Sequence, residues 1–395
     1  MGVPPNAFAR RKSARSHARF GNNNRRTVFV GNSVAIIGTR GYPSYYGGFE
    51  TLVRQLAPYL TNHGWDVTVY GRDGSTSIDD PSLDPRVHTV VTKGVESKSL
   101  STLTYGLSSS VHATRRRPDV ALVMNVANGY WLPLLKARGI PTVVNVDGIE
   151  WERAKWGRTA KSMFKSGAHL TAKFADHLLF DSREIARRWS SEFNRDGTFI
   201  PYGGTVPEPL LPVKGLSSRS YALMVARFVP ENTIEEFFTA ARELSKTRDV
   251  IIVGASGYGG EFDAKARELS NMCDKVQWFG HVSNDDVLFS LWQHAGVYFH
   301  GHSVGGTNPA LVQAMACGAP IVARDTVFNR EVLGTSGSYV APEAHSIVDA
   351  LARVLKSPDL QERLSRNSIT RQQEEYTWDA VCRSYEESLL AKISF

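Results

Sequence analysis

Two glycine-rich turns constrain this chain more than any other feature. Each follows a short apolar run and leads into a stretch of helical periodicity. The first is Gly38-Thr-Arg-Gly-Tyr-Pro-Ser-Tyr-Tyr-Gly-Gly-Phe-Glu50, and the second is His302-Ser-Val-Gly-Gly-Thr-Asn-Pro-Ala-Leu-Val-Gln-Ala-Met-Ala-Cys-Gly318, about 265 residues later. In the second, Thr307 or Asn308 is placed to cap a helix and Pro309 suits its first turn. A turn of this kind points amide N–H groups and the positive end of a helix into a cleft, which suits an anion. Two such turns predict two doubly wound domains facing one another.

The pattern between the turns agrees. Apolar runs at 34–37, 66–70, 87–91, 120–123, 142–146, 176–181 and 198–201 read as strands. The helix expected over 49–63 carries Leu52, Leu56, Tyr59 and Leu60 on one face. Residues 203–220, with Pro207, Pro209 and Pro212, read as a linker. Strands then resume at 221–225, 250–253, 276–279, 297–299 and 321–323, and the last helices run over 346–391. Strands alternating with helices imply parallel sheets and an α/β fold.

Charge is unevenly placed. The net charge of +7 is matched by Arg10, Arg11, Lys12, Arg15, Arg19, Arg25 and Arg26, in a leader without Asp or Glu. The leader reads as a disordered tail. Attraction to anionic lipid, nucleic-acid binding and an organellar transit peptide stay open for it, although stacking aromatics for nucleic acid are few. It lacks the apolar core of a secretory signal. Residues 151–165 interleave Trp151, Trp156 and Phe164 with Arg153, Lys155, Arg158, Lys161 and Lys165. That pattern fits a helix on an anionic membrane surface or an ordinary solvated face over core aromatics. The three cysteines are widely spaced and point to a reducing compartment. No Asp-x-Asp and no Cys/His cluster of metal spacing occurs, so no metal site is expected.

Several residues stand where ligands bind in open α/β sheets, beyond the carboxyl ends of strands. Arg227 ends the first strand of the second half, where a guanidinium could hold a diphosphate or form a surface ion pair. Asp147 follows the 142–146 strand and suits substrate orientation, proton transfer or a plain turn. Glu150 and Glu152 lie close to it in sequence. The first turn fits neither Gly-x-Gly-x-x-Gly nor a P-loop, which speaks against dinucleotide and P-loop sites.

With these residues in view, the chain resembles the retaining family-four glycosyltransferases of the GT-B fold, closest to bacterial polysaccharide and rhamnosyl-type transferases. The resemblance rests on Gly38–Glu50, Asn145-Val-Asp-Gly-Ile-Glu-Trp151, Ala175-Asp-His-Leu178, Ile200-Pro-Tyr-Gly203, Arg227-Phe-Val-Pro-Glu-Asn232 and the 302–318 run, in that order. It implies a tail over 1–32, an acceptor-side Rossmann-like domain over 33–204, a linker over 205–219, a nucleotide-sugar domain over 220–375 and a helix over 376–395 that returns to the first domain. It also implies a nucleotide-sugar donor as substrate, with no cofactor and no nucleic-acid partner. The acceptor would be a saccharide, plausibly lipid-linked, at the cytoplasmic face of a membrane touched by residues 10–26 and 151–165.

By position, Arg227 would bind the diphosphate. The backbone of Gly306, Thr307, Asn308, Pro309 and Ala310 would cradle phosphate, and Gly280, His281 and Val282 would lie against the base. Asp147 would match the catalytic-loop residue beside the sugar, and Gly47 and Gly48 would approach the reacting phosphate. Arg40, Tyr46, Glu50 and Glu150 would face the acceptor. Three departures stand out. Gly305 and Gln313 replace two glutamates, leaving Gln313 a neutral acceptor for ribose. Thr233 replaces a lysine that often partners the arginine, a loss that Arg40 or Arg330 would have to offset. These departures keep open a non-catalytic scaffolding relative. An epimerase or a phosphorylase on the same architecture is the other alternative.

Overall fold

The computed structural model describes residues 31–45, 47–75, 80–96, 101–153, 156–257 and 259–393. The basic leader, Tyr46 and Lys155 lie outside the described residues. From residue 31 onward the chain forms one compact unit built on two sheets.

The first sheet holds β1 (Ser33–Ile37), β2 (Asp66–Gly71), β3 (His88–Val91), β4 (Val120–Met124), β5 (Thr142–Asn145), β6 (His177–Phe180) and β7 (Thr198–Phe199), in the order β3-β2-β1-β4-β5-β6-β7. The second holds β8 (Ala222–Val225), β9 (Val250–Val253), β10 (Val276–Gly280), β11 (Val297–His300), β12 (Ile321–Arg324) and β13 (Ser338–Val340), in the order β10-β9-β8-β11-β12-β13. Every strand pair is parallel. The central strands are buried throughout, as continuous Val/Ile/Leu runs covered on both faces by helices should be. This is the α/β architecture of two doubly wound, Rossmann-like halves.

Both sheets reverse their order at a single place, between β1 and β4 and between β8 and β11. The first glycine turn leaves β1, and Arg227 and the second turn leave β8 and β11. Both turns therefore sit at switch points, where an open α/β sheet offers a crevice.

Local corrections are small. The first helix is Gly48–Asn62, and its buried face includes Val53 and Glu50 while Tyr59 is only half-buried. The last stretch is three helices, Ala344–Leu355, Pro358–Glu375 and Trp378–Ile393. The final one packs on the first half: Val381, Cys382, Tyr385 and Leu389 share a core with β1 and β2, and Asn145 Nδ2 donates to Tyr385 Oη at 2.6 Å. Residues 151–165 are not one helix. A short turn, Glu150–Glu152, precedes the helix Arg158–Phe174. Trp151 is buried against Trp189 and Phe193, and Trp156 packs on Phe164, so the aromatics serve the core.

Candidate active site

The two turns meet. A Cβ on Gly48, the first residue of its helix, would lie 3.4 Å from Pro309 Cγ, the first residue of the helix Pro309–Ala316. A Cβ on Gly148, just after Asp147, would lie 3.7 Å from Gly305 Cα. The amide ends of two helices and the loop after β5 thus converge on one crevice.

On the second half, Asn308 is the cap: its Oδ1 accepts from Ala310 N at 3.0 Å. Thr307 faces across the crevice, where its N–H donates to the Asp181 carbonyl at 3.0 Å and its hydroxyl bonds the same oxygen. The expected cradle over 306–310 is narrower as a result. Thr307 and Ala310 have spent their N–H groups and Pro309 has none. Among the described hydrogen bonds, the amides of Gly306 and Asn308 donate to nothing.

Gly306 is required by a close approach. A Cβ there would stand 1.9 Å from Asp181 Oδ1. Asp181 follows β6, is buried, and its Oδ1 has no hydrogen-bond partner. Burial first, then the nearby charges of Asp147 and Glu331, push its carboxyl well above the usual range. Sequence reading missed Asp181 because its importance depends on which loop of the other half lands on it.

Arg227 is exposed, and among the described residues its guanidinium makes no ion pair or hydrogen bond. A surface ion pair is therefore not its role. Beside it, His302 stacks on His300 with ring centroids 4.4 Å apart. Burial, then the charges of Arg227 and Arg153, lower its pKa to about 3, so the ring is neutral at ordinary pH. Its Nδ1 is buried without a partner.

Beside Thr233, which stands where a lysine was expected, lies a cation that the sequence reading did not single out. Arg324, at the end of β12, places Nη1 3.1 Å from Thr233 Oγ1. Arg330 is committed elsewhere, with Nε 2.5 Å from Asp325 Oδ1 on an exposed surface. Gln313 does not present a free acceptor either: its Oε1 accepts from Thr205 N at 3.0 Å and its Nε2 donates to Thr205 O at 2.7 Å. Gly280 (φ 64°) ends β10 with open space around it, followed by His281 and a partly buried Val282.

On the first half, Asp147 adopts a left-handed backbone (φ 64°), held by Asn125 Nδ2 to Oδ2 at 3.0 Å and by its own N–H to Asn145 Oδ1 at 3.0 Å. Gly47 caps the first helix in extended backbone. Glu50 and Glu150 are tied down rather than facing open space. Glu50 is buried and accepts from Arg40 N at 3.0 Å, bracing the turn. Glu150 is buried between Arg153 Nη1 and Trp156 Nε1, both at 2.7 Å. Arg153 then crosses to Glu231 of the second half at 3.3 Å. Among the described residues, no group of three or more His, Cys, Asp or Glu gathers at metal-binding range, and no helix is long and apolar enough to cross a membrane.

Comparison with known proteins agrees with this geometry. Residues 47–203 match the glycosyl transferase 4-like domain and residues 213–371 match the glycosyl transferases group 1 family. The chain is 27% identical over 164 residues to the O-antigen chain mannosyltransferase B of Escherichia coli, a match covering 40% of this chain and 42% of that protein. It therefore spans less than half the length of that relative. Sucrose-phosphate synthase from Thermosynechococcus elongatus superposes with a TM-score of 0.74 at 19% identity, over 90% of this chain and 98% of that one. The Anabaena protein HepE, solved with UDP-glucose, gives 0.72 at 14% identity, over 91% and 99%. Two glycosyl transferase family matches, one on each half, and two Rossmann-like sheets with their turns face to face give the chain the GT-B architecture.

Proposed function

We propose that the chain is a retaining, metal-independent glycosyltransferase of the rhamnosyl-type polysaccharide subgroup. It would move a sugar from a nucleotide diphosphate to a saccharide in cell-surface polysaccharide synthesis. The observation that carries this is the meeting of the two turns, with Arg227 unpaired on one side and Asp147 on the other. The names of its relatives support it: one transfers mannose to an O-antigen chain, and HepE holds UDP-glucose.

Arg227 and the amides of Gly306 and Asn308 would neutralise the diphosphate, with Arg324 as a second cation. Charge supplied this way removes the need for a metal or any other cofactor. Gly280, His281 and Val282 would flank the base. Gly47 and Gly48 would bring the positive end of their helix to the reacting phosphate, and Asp147 would orient the sugar. A donor phosphate oxygen would assist the acceptor hydroxyl, with retention at the anomeric carbon. The acceptor would be lipid-linked, and the exposed Arg158 with residues 10–26 would favour an anionic membrane face.

The test is a thermal-shift panel of UDP-, dTDP-, GDP- and ADP-sugars with chelator present. A ligand at about 100 times its dissociation constant adds roughly 2.7 kcal/mol. A shift with one nucleotide names the donor class. No shift with any of them, in folded protein, turns the reading toward a non-catalytic relative.

A further inference from the structure

Arg72 follows β2 and is tied by its N–H to the carbonyl of Arg40, 2.8 Å away in the first glycine turn. Its side chain is only 8% exposed, and its Nε is buried without a partner. A guanidinium so deeply placed normally meets a carboxylate in a two-pronged contact. Here the ion-pair partner is Glu96, 61% exposed, touching only Nη1 at 3.5 Å. The Tyr105 ring supports the guanidinium at 4.8 Å.

Arg72 lines a small cavity with Gly38, Thr39, Thr92, Thr102 and Ser109. The walls come from the carboxyl ends of β1, β2 and β3 and from one face of the helix Ser101–Arg116, from Thr102 to Ser109. The enclosed space is about 10 Å³, enough for one oxygen-sized group. The hydroxyl protons of Thr39, Thr92 and Ser109 are directed to the carbonyls of Tyr70, Gly71 and Tyr105. Among the described residues, Arg72 Nε and the Thr102 hydroxyl are the lining donors left without a partner.

We propose that Arg72 anchors an anion subsite on the first half, which takes one oxygen of an oxyanion carried by the acceptor, a phosphate or a sugar carboxylate. The assignment to the acceptor rests on the glycosyltransferase reading; the anion site rests on Arg72 alone. Gly38 and Thr39 belong both to the cavity and to the first glycine turn.

The experiment titrates the full chain, carrying Arg227→Gln to silence the donor side, with inorganic pyrophosphate and separately with glucuronate. One probe should bind, identifying phosphate or carboxylate. Adding Arg72→Met should weaken it by about tenfold or more, and Arg72→Lys, which keeps the charge and loses the fork, should fall between. Melting without ligand shows which variants fold, and Arg72→Lys carries the comparison if Arg72→Met does not. Equal affinity in the Arg72 variants, or no binding of either probe, overturns the site. Nucleoside diphosphate binding to the unmutated chain is measured alongside. If that is absent while Arg72-dependent binding persists, the anion site stands and the acceptor assignment falls.

Discussion

The carboxylate of Glu331, in the second half, caps a helix of the first: Oε2 lies 2.8 Å from Ser182 Oγ and Oε1 lies 2.7 Å from Arg183 N. The helix Arg183–Phe193 thereby has two caps, since Ser182 Oγ also accepts from Glu184 N. A carboxylate at the amide end of a helix is favourable in itself. Here it also joins the halves beside the crevice, next to the Thr307–Asp181 contact. Glu331→Ala should cost about 1–2 kcal/mol, the scale of a lost cap, and should loosen the crevice. Urea unfolding measures the first effect, and the radius of gyration by small-angle scattering the second. An unchanged midpoint with unchanged scattering would show that the contact does not hold the halves.

Arg227 has the opposite character, an exposed cation with nothing to hold. Arg227→Ala should leave stability unchanged and weaken nucleoside diphosphate binding by about 2–3 kcal/mol, the scale of hydrogen bonds to a charged group. Calorimetric titration with the nucleotide that gives a thermal shift is the measurement. Full affinity in the folded variant removes Arg227 from the site.

Gln313 makes a pair of bonds to the backbone of Thr205, one donated and one accepted. A carboxylate cannot supply the donated one and would face the Thr205 carbonyl. Gln313→Glu, although it restores the residue usual in the family, should therefore destabilise the fold by about 1–3 kcal/mol. Thermal melting decides it. A variant of equal stability that binds nucleotide more tightly would mean that residue 313 turns toward the ribose.

The two halves, their glycine-rich turns and the placement of Arg227 at a strand end were legible because each is local. A buried parallel strand is a continuous apolar run, and a turn that opens a helix carries its own Gly, Asn and Pro. The fate of Gln313 was not legible, because the Thr205 backbone is brought to it by tertiary packing. Arg324 was missed for the same reason: a strand-terminal arginine says nothing of which threonine it will reach. Arg72 looked like any strand-end arginine until its burial was known. Residues 151–165 were left with two readings because aromatics at helical spacing suit a membrane face and a core equally well, and the structure takes the core.

Asp181 offers a test by pH. Its carboxyl is buried, unpartnered at Oδ1, and faced by Asp147, Glu331 and Tyr202 with no cation among the described hydrogen bonds to it. In the unfolded chain it loses its proton near the ordinary aspartate value; in the folded chain it keeps it to much higher pH. Between those values the folded state binds more protons, so stability falls as pH rises through the window. Asp181→Asn, neutral at every pH, removes that slope. The variant should melt higher than the parent at pH 7–8, and the gain should vanish below about pH 4, where both carry a neutral side chain. Melting curves from pH 4 to pH 8 check it. A constant difference across the range, or a loss at pH 8, would show that Asp181 is ionised in the fold and that its charge has a partner in the crevice.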